Sequence, residues 1–227
     1  MNKIFENEKL LVLDKPAGVE VHDFAEQAAE EFSELRDLKD NRYGLVHRLD
    51  KNTSGVLLLA KNEETLNFLQ KQFKKRKVTK KYLALVAGKL DYEKNINALI
   101  GRDLKNKRKQ KAYLPHSPEA QHEGLRKAET KIRPLKLFEK YTLIEASPKT
   151  GRKHQIRCHL AFINHPIAGD ELYSFKDQAH PENLKRQFLH ASYIKIKTPS
   201  NTKEFKSELP SDLNSVLKGL KLKQSYK

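Results

Sequence analysis

Residues 46–62 read VHRLDKNTSGVLLLAKN, and this stretch indicates how the rest of the chain is organised. The unbroken apolar run Val56–Ala60 predicts a buried strand, and Thr53-Ser54-Gly55 predicts a turn before it. Asp50 precedes that turn, beside Arg48 and a lysine. A carboxylate between two cations in front of a core strand suits an ionised nucleophile, although a structural ion pair in a loop has the same pattern.

The composition indicates which classes of function are compatible with this chain. The 227 residues contain 45 Lys and Arg against 29 Asp and Glu, and the net charge is +16. Such a charge is typical of proteins that bind nucleic acid or an anionic membrane surface. No run of about eighteen apolar residues is present, so no membrane span is predicted. A single cysteine, Cys158, excludes an intramolecular disulfide and Cys-based zinc clusters. The N-terminus lacks a secretory pattern, and we expect a soluble cytoplasmic protein.

Before the quoted stretch, the pattern predicts a strand and a helix. Lys9–Leu13 is an apolar run that ends in the turn Lys15-Pro16-Ala17-Gly18. Asp23 and Glu26 have the spacing of a capping box, and apolar residues at helical spacing predict a helix over Phe24–Leu38.

After the stretch, Asn62 is positioned to cap a second helix, which ends in cations. Cations suit a helix C-terminus, but six in eight positions exceed that local need and favour contact with phosphates. These cations are Lys74, Lys75, Arg76, Lys77, Lys80 and Lys81.

A strand and a basic insertion follow. Tyr82–Val86 predicts a strand, and the position of Tyr82 alone indicates an ordinary strand aromatic. Residues 102–127 are polar and basic, with Arg108 among the cations, and predict a long loop or an irregular hairpin. The insertion is either an arm that binds RNA and orders on binding, or a solvated surface loop.

The last third contains two paired strands and a second dense motif. Ala128–Phe138 and Tyr141–Ser147 predict the strands, with a break near Pro134. Residues 150–173 read TGRKHQIRCHLAFINHPIAGDELY and predict a helix from Arg152 to Asn164, with Arg157 at the margin of its apolar stripe. Three histidines lie in this segment: His154, His159 and His165. The intervals of five and six residues between neighbours are not the i, i+4 spacing that places two ligands on one helix face, so we predict no metal site. Ser211 is expected to cap a final helix.

Five separated segments together resemble the RluA-type pseudouridine synthases, in the order of that family. They are the KPxG turn at 15–18, HRLDKNTSG with AK at 47–61, KKYLA at 80–84, the segment at 150–173 and LHA at 189–191. The resemblance implies an α+β catalytic fold, with a mixed, mainly antiparallel sheet, flanking helices and a cleft across one face. It also implies an isomerase that converts specific uridines of ribosomal or transfer RNA to pseudouridine, without a metal or an organic cofactor.

The resemblance assigns roles to four residues. Asp50 would be catalytic, Tyr82 would stack on the target uracil, Arg157 would pair with Asp50 and Arg48 would fill the gap left by the flipped nucleotide. Whether the carboxylate attacks the base, attacks the sugar or removes a sugar proton stays open. Phosphate contacts would come from Lys74, Lys75, Arg76, Lys77 and Arg108.

Residues 1–227 are expected to form one catalytic domain, with the insertion at 102–127 and a basic tail at 221–227. Because the family motifs begin at Lys15, we expect no additional N-terminal RNA-binding domain of the kind that many family members carry. We expect a monomer with no obligate protein partner. Two alternatives are a non-catalytic RNA-binding protein and an Asp-dependent hydrolase. A two-carboxylate hydrolase needs a second acid, for which Asp170 is the best candidate, although its sequence context indicates a turn residue.

Overall fold

The structure is a computed structural model that describes residues 1–39, 42–121, 123–176, 178, 180–198 and 201–222. Within them the chain forms ten strands and four helices. The strands β1 to β10 are Lys3–Glu6, Leu10–Lys15, Ser54–Ala60, Thr79–Ala87, Lys94–Arg102, Gln110–Tyr113, Arg126–Leu137, Tyr141–Pro148, Leu189–Lys197 and Thr202–Lys206. The helices α1 to α4 are Val21–Glu31, Glu63–Lys74, Gln155–Phe162 and Ser211–Gly219. None of these helices is long and apolar enough to cross a membrane.

The elements form two compact units. The first combines Met1–Lys80 with His190–Leu209, and the second combines Lys81–Leu189 with the described part of Pro210–Lys227. Within the described residues, β3 and β9 pair in parallel, while the other strand pairs inside each unit are antiparallel. The predicted mixed, mainly antiparallel α+β fold is confirmed. The single domain over 1–227 stays a prediction.

In the first unit, β2 and β3 form the centre of a sheet in the order β1, β2, β3, β9, β10. Leu57 and Leu58 point to opposite faces of β3, and both are fully buried. Burial on both faces explains why the sequence shows an unbroken apolar run. Helix α2 lies against β3, with Leu66 and Leu69 buried. The side chain of Asn62 caps this helix, as predicted.

Helix α1 differs from its prediction at both ends. It begins at Val21 after Glu20, which makes no side-chain capping bond, so the predicted capping box is wrong. The backbone leaves helical geometry at Phe32 and continues into a short 3₁₀ turn. Phe32 and Leu35 are nevertheless buried, which explains why the apolar periodicity continues beyond the helix.

In the second unit, the strands follow the order β4, β8, β7, β5, β6. The pairing of β7 with β8 shifts between Pro134 and Lys136, which confirms the predicted irregularity. The start of the basic insertion forms the hairpin of β5 and β6, closed by a turn over residues 103–109. His122 of the insertion and residues 223–227 of the tail lie outside the described residues.

Helix α3 begins later than predicted, and helix α4 begins one residue earlier. His154 has a φ of 54°, in the left-handed region, so the helical geometry of α3 starts only at Gln155. The side chain of Gln155 accepts a hydrogen bond from the N–H of Arg152, at 3.0 Å. The cap position of α4 is Pro210, and Ser211 is already the first helical residue, so the predicted Ser211 cap is wrong.

Candidate active site

Asp50 lies on a tight turn that leads into β3. The N–H of Thr53 donates to the carbonyl of Asp50 at 2.9 Å, and Ser54 already belongs to the strand. The turn predicted at 53–55 is therefore placed too late. Gly55 is required for a different reason, because a Cβ there would lie 2.2 Å from the carbonyl oxygen of Ala191 on β9. The side chain of Asp50 is half-buried.

A buried lysine holds this turn. Lys15 is fully buried, and its ammonium donates to the carbonyls of Pro16 at 2.6 Å, Val19 at 2.8 Å and Lys51 at 3.1 Å. Three carbonyls match the three N–H donors of an ammonium group. The sequence indicates only a turn at this lysine, but the structure shows that it fixes the backbone beside Asp50.

A buried histidine holds the start of β3. Ser54 pairs with His190, and its Oγ lies 3.0 Å from Nδ1 of that ring. The ring Nε2 lies 3.1 Å from the carbonyl oxygen of Ser207. Because a carbonyl only accepts, Nε2 carries the proton and Nδ1 accepts from the Ser54 hydroxyl. This contact joins the TSG and LHA segments, which lie far apart in the sequence.

His47 anchors the segment before Asp50. Its Nε2 accepts the N–H of Leu58 at 3.1 Å, and its ring stacks on Phe73 with centroids 5.0 Å apart. Burial, followed by the charge of Lys80, lowers the pKa of His47 to about 3. The imidazole therefore stays neutral at physiological pH. Arg48, the next residue, is exposed.

Arg157 and Asp170 form a buried ion pair in the second unit. The guanidinium donates from Nε to Oδ2 at 2.7 Å and from Nη2 to Oδ1 at 2.8 Å. Arg157 is 6% exposed, and its place at the margin of the apolar stripe stays a prediction. Oδ1 of Asp170 also accepts the N–H groups of Leu172 and Tyr173. The expected turn role of Asp170 is correct, but its partner Arg157 was not predicted.

These contacts also bear on the hydrolase alternative. Asp170 is fully buried, and the contacts described for its carboxylate are with N–H donors. A hydrolytic acid has to reach the substrate, whereas this carboxylate is enclosed by the protein and held by its own N–H groups. The best candidate for a second acid is therefore unsuited to that role.

The remaining predicted site residues lie at or near the surface. Tyr82 is half-buried on β4, opposite Ala146 of β8. Arg108 is exposed on the turn between β5 and β6, where its N–H donates to the Asn106 side chain. The cations at the end of α2 are all exposed: Lys74, Lys75, Arg76 and Lys77. Their contacts with RNA stay predictions.

The three histidines of the dense motif make separate hydrogen bonds. Nδ1 of His154 lies 3.1 Å from the hydroxyl of Tyr173. Nδ1 of His159 lies 3.0 Å from the hydroxyl of Thr130, and Nδ1 of His165 lies 2.8 Å from the carbonyl oxygen of Ala87. These contacts give each ring a structural role. Among the described residues, no group of His, Cys, Asp and Glu has the arrangement of a metal site.

The family model of RNA pseudouridylate synthases matches residues 9–162. The chain belongs to this family. This pseudouridine synthase is 38% identical over 226 residues to the ribosomal large subunit pseudouridine synthase C of Vibrio parahaemolyticus, covering 96% of the chain and 69% of that relative. It is 37% identical to the ribosomal large subunit pseudouridine synthase D of Borreliella burgdorferi, covering 91% of the chain and 64% of that relative.

A solved structure supports the same family assignment. The enzyme superimposes on human RNA pseudouridylate synthase domain containing 1 with a TM-score of 0.79 and 26% identity, covering 99% of this chain and 90% of that one. The predicted RluA-type family and the predicted isomerase acting on RNA are confirmed.

Proposed function

We propose that this synthase isomerises uridines of ribosomal RNA, with Asp50 as the catalytic carboxylate. Two relatives that are 37% and 38% identical carry the ribosomal large subunit in their names, which supports this substrate. Because ribosomal RNA is the proposed substrate, we also propose a cytoplasmic location. We further propose that it works as a monomer without an obligate protein partner.

The observation that carries the role of Asp50 is the set of side-chain hydrogen bonds that hold the backbone around its turn. Lys15 fixes the carbonyl of Lys51, His47 fixes the segment before Asp50 and His190 fixes the strand after it. A carboxylate that has to meet one atom of a base or sugar needs such a backbone, because small displacements cost large factors in rate. An ordinary surface turn does not need it.

RNA would be held mainly through phosphates. A uridine inside a helix has to be flipped out of the stack, at a cost of a few kcal/mol. Contacts between the exposed cations and phosphates offset that cost independently of sequence. Tyr82 would stack on the flipped uracil, and Arg48 would occupy the vacated position. Arg157 would pair with Asp50 and orient it. These roles rest on the family resemblance and on the chemistry of the side chains.

Tritium release from RNA labelled at uridine C5 tests the proposal. Wild type should release tritium from unmodified ribosomal RNA, whereas Asp50→Asn should release none and still bind RNA within a few-fold. Asp37→Asn, at an exposed carboxylate of the same unit, is the control and should keep the wild-type rate. Turnover by Asp50→Asn at the wild-type rate would remove Asp50 from its role. Release from transfer RNA alone would replace the proposed substrate.

A further inference from the structure

We propose that Asp170 is the positioning residue of Arg157, and that it sets the direction in which the guanidinium presents its second hydrogen-bonding edge. Tyr173 supplies the wall against which the guanidinium lies. This inference rests on the proposed function, in which Arg157 holds the catalytic carboxylate of Asp50.

The contact between Asp170 and Arg157 fixes a plane. Two parallel N–H···O bonds, at 2.7 and 2.8 Å, join the Nε and Nη2 edge of the guanidinium to both carboxylate oxygens. The ring centroid of Tyr173 lies 5.1 Å from Cζ of Arg157, and the ring restricts movement of the guanidinium out of that plane. A guanidinium has a second edge, formed by Nη1 and Nη2, that can bind another carboxylate. With the first edge fixed, the direction of the second is also fixed.

Stability alone does not explain this pair. The side chains of Arg157 and Asp170 are 7% and 0% exposed, so both charges have lost most of their hydration. The desolvation of such a pair often equals or exceeds its attraction, and well-packed apolar residues of similar volume would be as stable. What a bidentate pair adds is a defined geometry. A defined orientation of Arg157 is therefore the better explanation.

Asp170 is itself held by the backbone. Its Oδ1 accepts the N–H groups of Leu172 at 3.0 Å and Tyr173 at 3.2 Å. The preceding Gly169 has a φ of 74°, and a Cβ there would lie 2.3 Å from the carbonyl oxygen of Arg186. Only glycine allows the chain to pass this closely, and the turn then directs the carboxylate to Arg157.

Tyr173 is fixed in the same way. It is 7% exposed, and its hydroxyl oxygen accepts the N–H of Gln110 at 2.7 Å and lies 3.1 Å from Nδ1 of His154. Burial raises the pKa of Tyr173, so the phenol stays protonated and can donate to that nitrogen. The wall beside Arg157 therefore has bonds to β6 and to the start of α3.

Asp170→Asn is the direct test. The amide oxygen can still accept the two backbone N–H groups, but the charge and one guanidinium contact are lost. The matched control is Asp212→Asn. Asp212 binds Arg186 through the same atoms, at 2.7 and 3.2 Å, in the same unit, but its side chain is 53% exposed. We would measure the single-turnover rate with excess enzyme, the Kd for ribosomal RNA and the melting temperature.

We expect Asp170→Asn to lower the single-turnover rate about 100-fold, the factor typical of a misplaced catalytic group. The Kd should stay within about threefold, and the control should match wild type in both measurements. In an Arg157→Lys background, Asp170→Asn should change the rate less than about threefold, because the residue it positions is already altered. A purely structural role would lower the melting temperature without this separation of rate from binding.

A folded Asp170→Asn variant with a rate near wild type would overturn the inference, as would an undiminished 100-fold effect in the Arg157→Lys background. If Asp170→Asn does not fold, Asp170→Glu replaces it. That variant keeps the charge but displaces the carboxylate, so a slowed rate supports the inference and a wild-type rate overturns it. Failure of the proposed function looks different, because then wild type itself is inactive on ribosomal RNA or Arg157→Lys is fully active.

Discussion

Replacing Arg76 with glycine should stabilise the enzyme and weaken its binding to RNA. Helix α2 ends in two reverse hydrogen bonds, from the N–H of Arg76 to the carbonyl of Phe73 at 3.1 Å and from the N–H of Lys77 to that of Gln72 at 3.0 Å. This is the Schellman arrangement, in which the residue after the cap is usually glycine. Here it is Arg76, with a φ of 57°.

The gain in stability follows from the backbone. A left-handed conformation costs a residue with a side chain roughly 1–2 kcal/mol. Glycine removes that cost but adds roughly 0.5–1 kcal/mol of unfolded-state entropy. Because the Arg76 side chain is exposed, little packing is lost. The free energy of unfolding should therefore rise by about 0.5–1 kcal/mol, or about 1–4 °C in melting temperature for a chain of this size.

The loss in binding follows from charge. If Arg76 neutralises one phosphate, its removal should lower the dependence of log K on log salt concentration by about one unit. Binding at moderate salt should weaken a few-fold, and equally for all RNA sequences, because phosphate contacts carry no sequence information.

Urea unfolding and RNA binding over a range of KCl concentrations measure both effects. Arg76→Ala is the matched control, since it removes the same charge but keeps a side chain at positive φ. It should lose the same RNA affinity without gaining stability. A glycine variant no more stable than the alanine variant would refute the strain argument. An unchanged salt dependence in both variants would exclude Arg76 from the RNA surface.

Two further predictions concern the turn that carries Asp50, the proposed catalytic carboxylate. Lys15→Met should lower the free energy of unfolding by about 1–3 kcal/mol, because three backbone carbonyls lose their bond to a charged donor; an unchanged urea midpoint would contradict this. His47→Gln should make the free energy of unfolding less dependent on pH below about pH 6.5. The folded pKa of about 3 lies below the ordinary 6.5, so the unfolded chain takes up the proton first and stability falls as pH decreases from about 6.5 towards 3. The slope is about 1.4 kcal/mol per pH unit, and glutamine, which can still accept the N–H of Leu58, should remove it. Parallel wild-type and mutant curves from pH 6 to pH 4 would show that His47 does not titrate in this way.

Local rules predicted the features whose causes are local. Asn62 caps α2 through the N–H of Thr65, three residues away, and such a bond is encoded in adjacent sequence. Pro134 lacks an N–H, so an irregular strand could be expected at that position. The apolar run in β3 indicated burial on both faces because its length and composition suit a central strand.

Features that depend on contacts between residues far apart in the sequence were not predicted. The partner of Asp170 lies on α3, thirteen residues before it, and no spacing rule joins a helix to the turn that follows it. The only signal was the Gly-Asp pair, which indicated a turn. The start of α3 depends on His154, whose left-handed backbone is uncommon for any residue other than glycine. Strand β5, Lys94–Arg102, carries polar residues at alternate positions and was not predicted.

The buried charges of Lys15 and Asp170 are stabilised in the same way. Lys15 and Asp170 are both fully buried, and burial of an ionised group lowers stability unless every hydrogen-bonding site is satisfied. Lys15 meets three carbonyls, while Asp170 meets a guanidinium and two N–H groups. Each therefore acts as a rigid connector, one to the turn of Asp50 and the other to Arg157. On the surface, Arg76 accepts backbone strain where glycine would be more stable. Lys15 and Asp170 can be buried because their hydrogen bonds are satisfied, whereas the left-handed backbone of Arg76 lowers stability, and the roles proposed for these residues in RNA isomerisation would account for all three.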